Sequence, residues 1–196
     1  MQLKERDFIL IDIETTGFLK DKHQILEVGI LVLKDNKVID EMELKIKHKE
    51  YVLTTGALAV NKINLVEHEV NAVYEEEACR TILSFLNKNK SNDTGFIVIG
   101  QNVQFDIGFI ENMFLRNRLI KDYRNVISYR NIDIMQLAIL KNIEGKIELE
   151  AQDLDSILRA LNIDESCIPS HIANERHRAL ADCYFEHKAY TELLNL

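Results

Sequence analysis

The order in which its apolar runs follow one another leaves this chain few folds. Phe8–Ile13 has the length and apolar character of a buried strand, Ile25–Leu33 reads as a second, and Lys37–Lys47 as a third. "KDNK", Lys34 to Lys37, is polar and short enough to turn the second into the third as a hairpin. A helix is predicted over Tyr74–Lys90, with Glu75, Glu76 and Glu77 at its start and Lys88 and Lys90 at its end, each sign matching the helix dipole. From there strand and helix alternate. Gly95–Gly100, "GFIVIG", suits a central strand, and Val103–Leu119 after it carries helical spacing at Ile107, Ile110 and Phe114. Val126–Ile132 fits a further strand leading into a helix over Asp133–Leu140. Leu154, Ile157, Leu158 and Leu161 recur at i, i+3, i+4 and i+7, and Leu180, Cys183, Tyr184, His187 and Leu194 lie on one stripe of a last helix. Three strands opening with a hairpin, then alternating strands and helices, predict an α/β fold: a mixed five-stranded sheet with helices on both faces.

One domain over residues 1–196 is expected, because a single proline, Pro169, and seven scattered glycines leave no linker. The residues after Met1 are polar, with no apolar stretch of signal or membrane length, which points to the cytoplasm and no membrane partner. Cys79, Cys167 and Cys183 lack metal-type spacing and are odd in number, so reduced thiols are expected. A net charge of −8 argues against a protein that coats nucleic acid nonspecifically. It leaves room for a nuclease, whose carboxylates can hold divalent cations that reverse the local field.

Three acidic motifs stand out. In "IDIETTGF", Ile11 to Phe18, side-chain alternation puts Asp12 and Glu14 on one face, about 6–7 Å apart along the strand. Two hydrated carboxylates at a fraying strand end would look the same. Thr15, Thr16 and Gly17, however, end the strand with small residues that let a ligand approach, and paired carboxylates suit a hard cation such as Mg²⁺. In "GQNVQFDIGFI", Gly100 to Ile110, Asp106 falls in the first turn of a helix for which Asn102 is the natural N-cap; capping and dipole alone could account for both. In "HRALAD", His177 to Asp182, five helical residues rotate by about 500°, so the two side chains would not converge from one regular helix. His177 is therefore placed on the preceding loop or first turn, with Pro169, Ser170, Asn174 and Glu175 upstream fitting a mobile loop over Ile168–Arg176.

In order and together, these motifs resemble those of the DEDDh 3′-5′ exonucleases of the ribonuclease H-like fold. "DIETTG", "NVQFDIGFI" and "HRALAD" are similar to the family's three motifs. Between them, "TTGALAVNKI", Thr54 to Ile63, resembles the family's substrate-lining segment, while "IDIMQLAILK" and "LDSILRALNI" resemble later segments of the proofreading exonuclease subunit of bacterial replicative DNA polymerase, and the likeness spans Phe8 to about Leu194. The resemblance implies that Asp12, Glu14, Asp106 and Asp182 hold two ions, Mg²⁺ or Mn²⁺, and that His177 is the general base. Asp12 would bridge both ions, Glu14 and Asp182 complete the first, and Asp106 serve the second. Thr15, Thr16, Gly17 and Phe18 would line the terminal nucleotide, with Asn61 and Asn102 as further contacts. Asn61 and Gln101 stand where many members carry histidine.

The expected function is metal-dependent 3′→5′ hydrolysis of single-stranded DNA to nucleoside 5′-monophosphates. RNA trimming or short-oligonucleotide hydrolysis on the same fold is the close alternative, since discrimination rests on whether the pocket tolerates a 2′-hydroxyl. A catalytically silent nucleic-acid interaction module is the more distant one, disfavoured because all four acids and the histidine are present. Neither G-x-G-x-x-G nor a P-loop occurs, which disfavours a nucleotide-binding protein. Association with a polymerase is possible, but no docking tail follows the last predicted helix.

Overall fold

The computed structural model describes residues 6–91, 94–172 and 176–196. Six strands form one sheet in the order β4-β3-β2-β1-β5-β6: β1 Phe8–Thr15, β2 Ile25–Lys34, β3 Lys37–Lys47, β4 Val73–Tyr74, β5 Phe96–Gly100 and β6 Ile127–Asp133. The five expected strands are all present. The sixth, β4, pairs parallel to Ile46 and Lys47 over two residues, too short to leave an alternation in the sequence. β1, β2 and β3 are mutually antiparallel, whereas β5 runs parallel to β1 and β6 parallel to β5. The β2–β3 hairpin closes through Asp35 and Asn36, both at positive φ, as a two-residue turn matching the strand twist requires.

Helices cover both faces. β1 divides its side chains between two cores: Ile9, Ile11 and Ile13 pack with α3 (Glu75–Asn89), α4 (Gln104–Arg116) and α5 (Ile120–Val126), while Leu10 packs with α6 (Ile134–Ile143), α7 (Leu154–Ala160) and α8 (Ala179–Asn195). Two short helices, α1 (Thr55–Asn61) and α2 (Leu65–Glu69), join β3 to β4. They and α5 carry no full i, i+3, i+4, i+7 apolar repeat of the kind that marks the equally short α7.

Two expectations are corrected. Asn102 does not cap α4 with its side chain: it sits at φ 53 with its side chain exposed, its amide donates to Asp133 Oδ1 at 3.0 Å, and the helix starts at Gln104. The buried face of α8 runs through Cys183, Phe185, Glu186, Ala189 and Leu193, leaving Leu194 exposed. The reason is how closely α8 lies on the sheet. A Cβ on Gly29 would stand 2.4–2.6 Å from the Ala179 and Leu180 main chain, so the missing side chain lets the first turn of α8 rest on β2. In the first half of the helix, small and acidic residues face inward.

Candidate active site

Topology brings the motifs to one end of the sheet. Asp12 and Glu14 lie near the C-terminal end of β1 on the face that α8 covers, opposite Gly29 and Glu27 of β2. Parallel β5 ends beside them at Gly100 and feeds α4, whose first turn carries Asp106; crevices outside the carboxyl ends of parallel strands are common ligand sites. Seating α8 on Gly29 brings Asp182 in from above. Carboxylate oxygens of Asp12, Glu14 and Asp182 lie within 4.8 Å of one another.

The electrostatics of this cluster are severe. Burial, then the charges of Glu186, Asp106, Asp182 and Glu14, push Asp12 well above the usual carboxylate range. Burial, then Asp182 and Glu27, push Glu14 up to about 8. Asp106, 4 % exposed, is raised by burial although its own amide and that of Ile13 donate to it. Burial also raises Asp182, against the opposing pull of Arg176. Asp12 Oδ2 is buried with no hydrogen-bond partner among the described residues. Three converging carboxylates, a fourth whose charge reaches Asp12, an orphaned oxygen and all-oxygen donors fit hard divalent cations, the group the sequence motifs imply.

His177 stands where the i, i+5 argument put it, at φ 68 in the turn before α8, with its amide 3.4 Å from Asp182 Oδ1. It lines a cavity of about 440 Å³ with Asn61, Lys62, Arg176 and Arg178, and its contact with Asp182 puts it beside the acid cluster. Asn174 and Glu175, part of the expected mobile loop, lie outside the described residues. Arg176 bridges two helices, pairing with Asp182 and, at 2.6 Å, with Asp155 of α7.

The expected substrate contacts divide. Phe18 is 64 % exposed and lines a cavity of about 310 Å³ with Lys20, Gln104, Phe105 and Phe109, an aromatic wall open to solvent beside α4. Thr15 and Thr16 are buried, and their hydroxyls are committed internally, to Gly17 O at 2.7 Å and to Gln24. The amide and carbonyl of Thr16 are also taken, by Gln24 O and Thr54 N. A side chain at Gly17 would strike the His23 ring, so this glycine serves close packing. The Asn61 amide donates to Thr15 O at 3.1 Å, accepts from Ile63 N at 3.2 Å and also hydrogen-bonds the Glu14 carboxyl, so it braces the β1 terminus at the acid cluster itself.

Two acidic residues outside the three motifs also act on the cluster. Glu27 is fully buried on β2, with Arg178 ion-paired to it and His68 Nδ1 at 3.6 Å; through Arg178 it tethers the residue next to His177. A lone charge in the otherwise apolar run "ILEVGILVL" was the available signal. Glu186 follows Asp182 by one helical turn, and that i, i+4 spacing was readable in the same way.

The family model described as Exonuclease, of the RNase T group, matches residues 9–190. A PolC-type DNA polymerase III of Lacticaseibacillus paracasei is 25 % identical over 181 residues, covering 92 % of this chain and 11 % of that protein. A ribonuclease T of Buchnera aphidicola is 30 % identical over 110 residues, 52 % of this chain and 50 % of the relative. The chain thus spans about a tenth of the polymerase and half of the ribonuclease. Among solved structures, Escherichia coli exonuclease I in complex with a dT13 oligonucleotide superposes with a TM-score of 0.77 at 19 % identity, over 97 % of this chain and 41 % of that one, and the zinc-bound form of its complex with single-stranded DNA does so equally. With a ribonuclease H-like sheet, acidic motifs converging at the end of β1 and a family match over nearly its whole length, the chain belongs to the exonuclease family.

Proposed function

We propose that this chain is a divalent-metal-dependent 3′→5′ exonuclease that hydrolyses single-stranded DNA to nucleoside 5′-monophosphates. The observation that carries the reading is the convergence of Asp12, Glu14 and Asp182 within 4.8 Å, with the charge of Asp106 reaching Asp12 and His177 in contact with Asp182. Asp12, Glu14, Asp106 and Asp182 would hold Mg²⁺ or Mn²⁺, which when bound supplies charge neutralisation at the scissile phosphate and a more acidic attacking water. His177, half-buried on its turn, takes the proton from that water at its imidazole. Water adds to phosphorus, the bond to the penultimate 3′-oxygen breaks, that oxygen takes a proton from solvent to become the new 3′-hydroxyl, and the released 5′-monophosphate leaves a strand one nucleotide shorter. Phe18, with Phe105 and Phe109 behind it, offers rings on which terminal bases stack without regard to sequence. Lys45 and Lys62, against Glu43, join the ion-paired Arg176 and Arg178 in the cavity beside His177, where the sugar-phosphate backbone would enter.

Solved structures of this fold include complexes with single-stranded DNA, which supports DNA as the substrate. RNA is the second reading, because one relative is a ribonuclease T. Work beside a polymerase is a further part of the proposal, since other relatives are polymerases. The test is digestion of 3′-labelled single-stranded DNA and matched RNA with Mn²⁺ and with chelator. Labelled mononucleotide released first from DNA, only with metal, supports the reading. Faster release from RNA transfers it to the second, and cleavage of a closed circular single strand defeats both.

A further inference from the structure

We propose that Glu186 supplies a fifth carboxylate to the divalent-cation site, on the side of Asp12 and Asp106. This rests on the metal-dependent reading above and extends it to a residue outside the three motifs. Glu186 lies one helical turn beyond Asp182 on the sheet-facing side of α8 and is 1 % exposed. Its Oε1 accepts from the Gln101 amide at 3.1 Å, which places the carboxylate at the junction of β5 and α4. Its Oε2 is buried and has no hydrogen-bond partner among the described residues, as is also true of Asp12 Oδ2.

Among neighbouring charges, Glu186 acts most strongly on Asp12, and Asp106 acts most strongly on Glu186. The cation at this end of the site, Arg176, is already engaged by Asp182 and Asp155. An orphan carboxylate oxygen buried among acids is unfavourable in the absence of a compensating charge. A divalent cation, or a water it polarises, supplies that charge. Holding the Gln101 amide needs only an oxygen acceptor and leaves the second oxygen without a use.

Glu186→Gln separates the two roles, because glutamine keeps the shape and the acceptor for Gln101 but removes the charge. Mn²⁺ binding is measured without substrate, by electron paramagnetic resonance or calorimetry, in the parent, Glu186→Gln, Glu186→Asp and Asp12→Asn proteins. The expected result is a Kd raised roughly 10- to 100-fold by Glu186→Gln, with Glu186→Asp between it and the parent. Parent-like affinity in Glu186→Gln overturns the proposal while leaving the metal reading intact. Equal weakening by Gln and Asp assigns the effect to shape and likewise overturns it. A parent that binds no Mn²⁺ defeats the metal reading itself.

Discussion

Replacing Glu14 by glutamine should make the metal-free protein more stable at alkaline pH. Burial, then Asp182 and Glu27, raise this carboxyl to about 8 from an ordinary 4.5. Below pH 4.5 the group is protonated in both native and unfolded chains and contributes nothing. Between 4.5 and about 8 the native state keeps a proton that the unfolded chain has lost, so stability falls as pH rises, and above 8 the loss is complete. At about 1.36 kcal/mol per pH unit the ceiling is about 5 kcal/mol. Asp12, Asp106, Asp182 and Glu186 are raised as well and share protons with Glu14, so glutamine recovers only part, on the order of 1–3 kcal/mol at pH 8.5. For a domain of this size that is roughly 2–4 °C in Tm per kcal/mol. The assay is thermal and urea unfolding in chelator from pH 5 to 9 for both proteins. The parent should lose stability across the range, with Glu14→Gln falling less steeply. Parallel curves, or a parent that gains stability toward pH 8.5, refute the reasoning.

Asp12→Asn should raise or preserve the metal-free Tm, abolish turnover and blunt the stabilisation by Mn²⁺; a large loss of metal-free Tm with the Mn²⁺ response intact would make Asp12 structural. His177→Ala should lower kcat by roughly 10² to 10⁴ in steady-state assays with metal-dependent binding of single-stranded DNA retained, so a change within a few-fold removes it from the chemistry. Gly29→Ala places a methyl in the main chain of Ala179, and a loss of about 1–3 kcal/mol in urea melts is expected together with falling activity. Phe18→Ala should weaken single-stranded DNA binding by about 1–3 kcal/mol in anisotropy titrations, alike for all sequences.

What could be read in advance followed the strength of local signals. β1 and β5 announced themselves because buried strands need unbroken apolar runs, and His177 was placed on a turn by helical geometry alone. Asp12 and Glu14 were legible as a pair because strand alternation sets their face. Features created by tertiary approach were not legible. β4 exists through pairing with β3, and the inward face of α8 depends on the close seat offered by Gly29, which no periodicity records. Thr15, Thr16 and Asn61 look free in sequence because nothing local shows that Gln24, Gly17 and the main chain of Thr15 and Ile63 will engage them.

The seating of α8 also sets an order of events. Asp12 and Glu14 emerge early during synthesis and Asp106 midway, but His177, Asp182 and Glu186 follow more than 160 residues after Asp12. Closing that separation is slow compared with forming local helices, and chains are made from the N-terminus at roughly 5–20 residues per second. A nascent chain that has not yet exposed α8 holds at most three of the acids and no His177. On the proposed reading, hydrolytic competence would then wait for the docking of this helix on β2, the contact that Gly29 permits.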